Sequence, residues 1–202
     1  VVCVSDIPAD SSVNTPELAI AWKQTNGYDN TADKICFPMQ KYNGEMYHLS
    51  TLTVVTMQYQ DNQADGVPYV TPSNKVIASS QNVLADGTAI YFDEVTANKM
   101  NEKGITTTNI IKGAIRLWGS HMSNYDYDKL DSIQPEDRQD SSVRMMRYLV
   151  NTLQYEYIDE IDRPYSRRDI DSILISVQQW LNSLINQGKI LHGTISFKET
   201  SN

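Results

Sequence analysis

The residues with chemistry to offer are three histidines, an acidic stretch and a cluster of arginines. His48, His121 and His192 could act as general bases or metal ligands. They lie beside different elements, however, and share no spacing such as HExxH that would turn two of them onto one helix face. All three read as surface or capping histidines. Carboxylates crowd residues 126–140, at Asp126, Asp128, Asp131, Glu136, Asp137 and Asp140, and return at Asp159, Glu160 and Asp162. Such a group could hold Ca²⁺ or supply an acid–base pair. The stretch lacks the alternating ligands and the glycine of an EF-hand loop, so a solvated acidic surface is the favoured reading. There is no GxSxG, no glycine-rich phosphate loop and no CxxC. No catalytic, cofactor or metal site is expected.

The arginines are the charged stretch with most to explain. In DRPYSRR, Arg163, Arg167 and Arg168 stand before and at the start of a long helix, where the dipole disfavours cations. Two arrangements offset that cost. Either Asp162, Asp169 and Asp171 pair with them within the chain, as exposed groups do weakly, or the guanidinium groups meet acids on another protein, where Arg is the preferred cation.

The helix that carries them has the clearest pattern in the chain. Ile170, Ile173, Leu174, Val177, Leu181, Leu184 and Ile185 recur at three- and four-residue steps, which makes one apolar face. Pro164 and Ser166 with Asp169 signal its start, and Gly188 its stop. The opposite face, Ser172, Ser176, Gln179, Asn182, Ser183 and Asn186, is polar but uncharged. It suits a second protein surface better than bulk water.

Upstream, an apolar strand over residues 1–4, a helix from Pro16 to Gly27 and a strand at KICFP predict a βαβ unit with a parallel sheet. HLSTLTVVTMQYQDN fits either strand or helix. Residues 64–86 read as an ordered loop, and Asp93 as the cap of a short helix closed by Gly104. The β-branched and apolar runs at residues 105–111 and 114–118 predict paired central strands, with Gly113 between them as a turn or bulge. Residues 120–142, polar and acidic with Pro135 inside, read as a surface loop. They lead to a helix over residues 142–157 with Val143, Met146, Leu149, Val150 and Leu153 on its apolar face. Trp118 and Trp180 fall on apolar faces and read as core anchors.

With 202 residues, the chain can bury a core without disulfides or metals. Its 40% apolar and 21% charged content is that of a folded domain, and a single α/β domain over residues 1–202 is the simplest account. A net charge of −8 argues against sequence-independent binding to nucleic acid. Cys3 and Cys36 form no framework or metal spacing, which leads to the expectation of a reducing setting. No apolar run is long enough to insert in a membrane. The opening VVCVSD, without Met, leads to the expectation that a longer protein extends upstream.

The runs VPYVTPSNK, AIRLWGSHMSN and EIDRPYSRRDIDSILISVQQWLNSLINQGKILHGTISF resemble the C-terminal part of contractile tail sheath proteins of phages and phage-tail-like particles. The resemblance covers residues 67–197 and rests on the order of four weak motifs: a strand ending in WG, a long helix, a DRP(F/Y) step, and a second long helix closed by glycine before a G…F strand. It favours helix for HLSTLTVVTMQYQDN. It implies a mixed α/β sheet flanked by long amphipathic helices, with a C-terminal arm over residues 193–202 that adds a strand to a neighbouring subunit. By that resemblance Gly193, Ile195 and Phe197 belong to the exchanged arm, and Arg163, Arg167, Arg168, Gln179 and Asn182 to contacts between subunits or with an inner tube. The implied role is a structural subunit, not an enzyme, and its partners are its own copies, a tail tube, and baseplate and terminator proteins. The implied location is the tail of a virion or phage-tail-like particle, assembled in the bacterial cytoplasm. The alternative is an α/β enzyme or small-ligand domain with a pocket at the strand C-termini, near Asp6 and Met39.

Overall fold

Strands β1 (Val4–Asp6) and β2 (Lys34–Cys36) run parallel, with α1 (Pro16–Thr25) between them in sequence. This is the expected βαβ unit, with its first strand displaced toward Asp6. Thr15 starts α1 by accepting from Leu18 N at 3.3 Å, and Pro16 occupies the first turn, where no amide is needed. The computed structural model describes residues 2–160 and 163–198. Asp162, one candidate partner of the arginines, lies outside them, as does the end of the expected arm, residues 199–202. The chain divides into two units, Val1–Tyr148 and Leu149–Asn202.

The first unit is built on a mixed four-stranded sheet in the order β1-β2-β6-β7, where β6 is Ile105–Ile111 and β7 is Ala114–Trp118. β6 runs parallel to β2, and β7 returns antiparallel from it. Successive residues of the buried strand β2 point to opposite faces of this sheet. Ile35 joins the cluster of Ile7, Ala19, Phe37, Met100 and Ile105, while Cys36 joins Leu49, Ile77, Ile115 and Leu117. α1 and α3 (Glu94–Glu102) supply the first cluster, and α2 (Leu49–Gln63) the second. Asp93 caps α3 as expected, accepting from Thr96 N at 2.9 Å. The stretch that fitted strand or helix is the helix α2.

A second sheet was not expected. β3 (Met39–Tyr42) pairs antiparallel with β4 (Glu45–Tyr47) on one side and β5 (Gln81–Val83) on the other. It is held by Gln40, which donates to Asn82 Oδ1 at 2.9 Å and accepts from Ser79 Oγ at 2.7 Å. The stretch expected to be loop throughout therefore contains a strand. It also lines the outer edge of β7, where Ile77 N donates to Ile115 O at 3.1 Å and Leu117 N to Lys75 O at 2.9 Å.

Residues 122–126 and Asp140 correct part of the expected surface loop, whereas residues 127–139 are exposed or half-buried as expected. Met122, Ser123 and Asp140 are fully buried, and Tyr125 and Asp126 nearly so. Backbone bonds from Ser123 N to Asp33 O at 2.8 Å and from Met122 N to Arg138 O at 3.0 Å tie the segment down. The reason is electrostatic. Lys34 has no access to solvent on the central strand, and Asp140 Oδ2 meets its Nζ at 2.7 Å, also fully buried. Thr71 Oγ1 donates to the same oxygen at 3.2 Å.

α4 (Asp140–Glu156) starts at that carboxylate, and its buried side is Val143, Arg144 and Met145. Met146 and Val150, expected on its apolar face, are 50% and 47% exposed. Ion pairs turn the helix: Asp140 is drawn to Lys34, and Arg144 to Asp61.

Candidate assembly surface

α5 (Arg167–Asn186) positions most of the residues singled out from the sequence. Ser166 Oγ accepts from Asp169 N at 3.3 Å while Asp169 Oδ2 accepts from Ser166 N at 2.9 Å, a reciprocal capping box. Hydrogen bonds from Ser166 hold the Asp169 carboxyl below the usual carboxylate range. Asp169 thus serves the cap. Arg163 Nη1 meets both carboxylate oxygens of Glu160 at 2.8 Å, and Arg167 Nε lies 3.7 Å from Asp171 Oδ1. Both pairs are exposed, where such contacts are worth little. The Arg168 guanidinium is exposed and pairs with no carboxylate among the described residues.

The two faces of α5 fall as their spacing predicts. Val177, Leu181 and Leu184 are buried, and Ile170, Ile173, Leu174 and Ile185 half-buried. Ser172, Ser176, Gln179, Asn182, Ser183 and Asn186 are all exposed. Leu181→Ala should cost the chain about 2–3 kcal/mol, the low end for a buried leucine, because the second unit is small and can relax. Ser176→Ala should stay within about 0.5 kcal/mol. Urea unfolding of the two variants checks this, and equal losses would mean that the faces are misassigned. Thr152, Leu153, Glu156, Tyr157, Ser176, Val177 and Trp180 line a notch of about 260 Å³ within this unit.

Residues 193–197, expected as a strand, pair with no strand among the described residues. A side chain holds the backbone instead. Gln178 Nε2 donates to Gly193 O at 3.0 Å, and Gln178 Oε1 accepts from Ile195 N at 3.2 Å. Nε2 also donates to Asn182 Oδ1 at 3.0 Å. Ile195 is half-buried and Phe197 is 49% exposed. Gln178 was not singled out from the sequence; its four-residue spacing to Asn182, which lets two amides pair on one helix, was the available signal.

Several of the other polar groups are engaged in holding the fold. Asp6, where the alternative reading put a pocket, accepts from Ser50 N at 2.9 Å and from the Ser50 hydroxyl, with His48 Nδ1 at 3.3 Å. It caps the start of α2. Met39 packs against the apolar cluster of α1 and α3. Burial pushes the Cys36 thiol up to about 12, far from a reactive thiolate. His121 stacks on Tyr125 at a ring distance of 3.6 Å, and burial holds its imidazole below the ordinary value. A polar cleft of about 440 Å³ is lined by Asp29, Asn124, Asp126 and Asp137 among others. Burial raises the Asp126 carboxyl, but the 2.7 Å bond from Lys103 and the Asp128 amide outweigh it, so the net displacement is downward. That is the opposite of what a general acid needs. Among the described residues, no group of three potential ligands could hold a metal ion, and no helix is long and apolar enough to cross a membrane.

No protein-family model matches the chain, and no curated protein matches it. Solved structures do. One is a chain in the cryo-EM structure of the anti-feeding prophage baseplate, with a TM-score of 0.67 and 15% identity, covering 93% of this chain and 45% of that one. Another belongs to the PVC sheath complex of an extracellular contractile injection system in its contracted state, with a TM-score of 0.69 and 15% identity, covering 97% of this chain and 50% of that one. The likeness establishes a shared fold, and this chain spans about half the length of the chains it matches.

Proposed function

We propose that the chain is part of a structural subunit of a contractile injection particle, and specifically of its sheath, which polymerises around an inner tube and contracts to drive that tube through a target envelope. The observation that carries this reading is the fold likeness over nearly the whole chain to a protein of a contracted sheath complex. The exposed, uncharged face of α5 and the arginines at its start are consistent with it. Partners on this reading are other copies of the chain, the tube, and baseplate and terminator proteins, in a virion tail or phage-tail-like particle assembled in the bacterial cytoplasm. The chemistry is mechanical: an interface with two packings stores and releases free energy.

Negative-stain microscopy of the purified protein, alone and with a tube protein, should show rings or tubes. Discrete globular particles under every condition would sink the reading. Arg163, Arg167, Arg168, Gln179 and Asn182 are the proposed contacts on α5 and its approach, with Gly193, Ile195 and Phe197 on the following segment. Reversing Arg167 and Arg168 to Glu should leave the melting temperature within about 2 °C, since acids suit a helix N-terminus. The same change should reduce the rings or tubes. A chain that loses its fold on reversal would show that these arginines serve intramolecular pairs.

A further inference from the structure

Gln178 binds the backbone of residues 193–195 as a neighbouring strand would. In a parallel ladder, one residue serves the carbonyl before and the amide after the residue that it faces. Gly193 O and Ile195 N, the two groups that Gln178 takes, are the pair such a strand would use beside Thr194. The amide has one workable orientation. Turned over, it would set donor against donor at Ile195, and oxygen against oxygen at Gly193 and at Asn182. Glycine lets the segment lie close: a β-carbon at Gly193 would sit 3.3 Å from Ile190 Cδ1 and 3.4 Å from Leu181 Cδ2, tight enough that these side-chain ends would have to give slightly. The docking satisfies the backbone better than the side chains. Leu191 is 100% and Phe197 49% exposed in this arrangement.

We propose that Gln178 is a latch. It keeps residues 193–197 on their own helix by occupying the carbonyl and amide that the segment needs in order to pair with a sheet edge of a second copy. This rests on the assembly reading above. Self-docking and exchange through that edge of the segment compete for one pair of hydrogen-bonding groups, so a copy must surrender Gln178 before it can lend the segment by that edge. The bonds lost are replaced in kind, which makes the exchange nearly balanced, and apolar side chains left in solvent by self-docking favour the partner. Gln178 is thus a positioning residue for assembly, and Asn182 aims it.

The test compares the chain with Gln178→Met, which keeps the length and helix propensity of the side chain but neither hydrogen bond. Hydrogen exchange at the Ile195 amide should speed up about tenfold, the loss expected for one net hydrogen bond. Self-association, followed by sedimentation, should increase. Asn182→Ala, which frees the amide to rotate, should give a smaller rise in exchange at the Ile195 amide. An unchanged Ile195 amide in Gln178→Met overturns the latch. Where the parent chain associates, a faster amide with unchanged or weaker self-association overturns the competition. If neither chain associates at all while the Ile195 amide is released, the docking by Gln178 stands and the assembly reading falls.

Discussion

Replacing Asp140 with alanine should cost about 3–5 kcal/mol, because it strands the ammonium of Lys34 in the centre of the sheet. Lys34 Nζ donates to Asp140 Oδ2 at 2.7 Å, to Gly119 O at 2.9 Å and to His121 O at 3.4 Å, so among the described residues the Asp140 carboxylate is the opposite charge that it meets. The pair is not thereby a strong net contributor. Moving two ions out of water costs several kcal/mol each, and their attraction mainly repays that. The double replacement Lys34→Met with Asp140→Leu should accordingly recover most of what the single change loses. Urea midpoints at constant slope decide the matter. A single variant within about 1 kcal/mol of the parent would mean that water reaches the ammonium, and a double variant no better than the single would mean that the site depends on its hydrogen bonds rather than its charges. What the pair fixes is position: a charge on the central strand selects the one residue that can start α4 beneath it.

Gly104→Ala should be comparably severe, at about 4 kcal/mol. The residue links α3 to β6 at φ 70°, and an added β-carbon would lie 2.3 Å from Met122 O and 2.9 Å from Tyr125 O. The left-handed backbone alone accounts for about 1–2 kcal/mol. The rest is collision with the carbonyls of a buried segment that cannot give way without freeing Ser123 and Met122. Gly66→Ala is the control, since its φ is 78° but nothing lies within 4 Å of the added carbon. It should show the backbone cost without the collision. Similar thermal shifts for both variants would mean that residues 122–125 yield readily.

These two sites also mark where sequence patterns stop being informative. The faces of α5 were legible because seven apolar residues repeat at the helical period and both ends carry local signals, Ser166 with Asp169 and then Gly188. The β6–β7 pair was legible for the same kind of reason: β-branched runs meet across a short turn. The Lys34–Asp140 pair joins residues 106 positions apart, and no local pattern marks it. Asp140 looks solvated by composition, yet its burial is decided by a lysine on a strand read from its apolar neighbours. The second sheet did leave a signal. Asn43-Gly44 between MQKY and EMY is a favoured two-residue hairpin turn. The signal is weak because these strands span three or four residues, and β4 is exposed along its whole length and shows no apolar alternation. On the candidate surface, the arginines and the polar face stood out in the sequence, whereas Gln178 sits at the border of the apolar stripe, where its partners come from a turn of chain beyond the helix.

The polar face of α5 has a consequence for the conditions under which it could work. Its exposed hydroxyls and amides, from Ser172 through Asn186, carry no charge. Dissolved ions act on protein contacts by screening charge over a distance of about 8 Å at physiological ionic strength. A contact made through hydroxyls and amides gives them nothing to screen, and none of these groups titrates in the ordinary range of pH. Such a contact would hold about equally well in dilute buffer and in brine, while one made through Arg163, Arg167 and Arg168 would loosen as salt rises. A surface combining the two has one part that is indifferent to its medium and another that reads it.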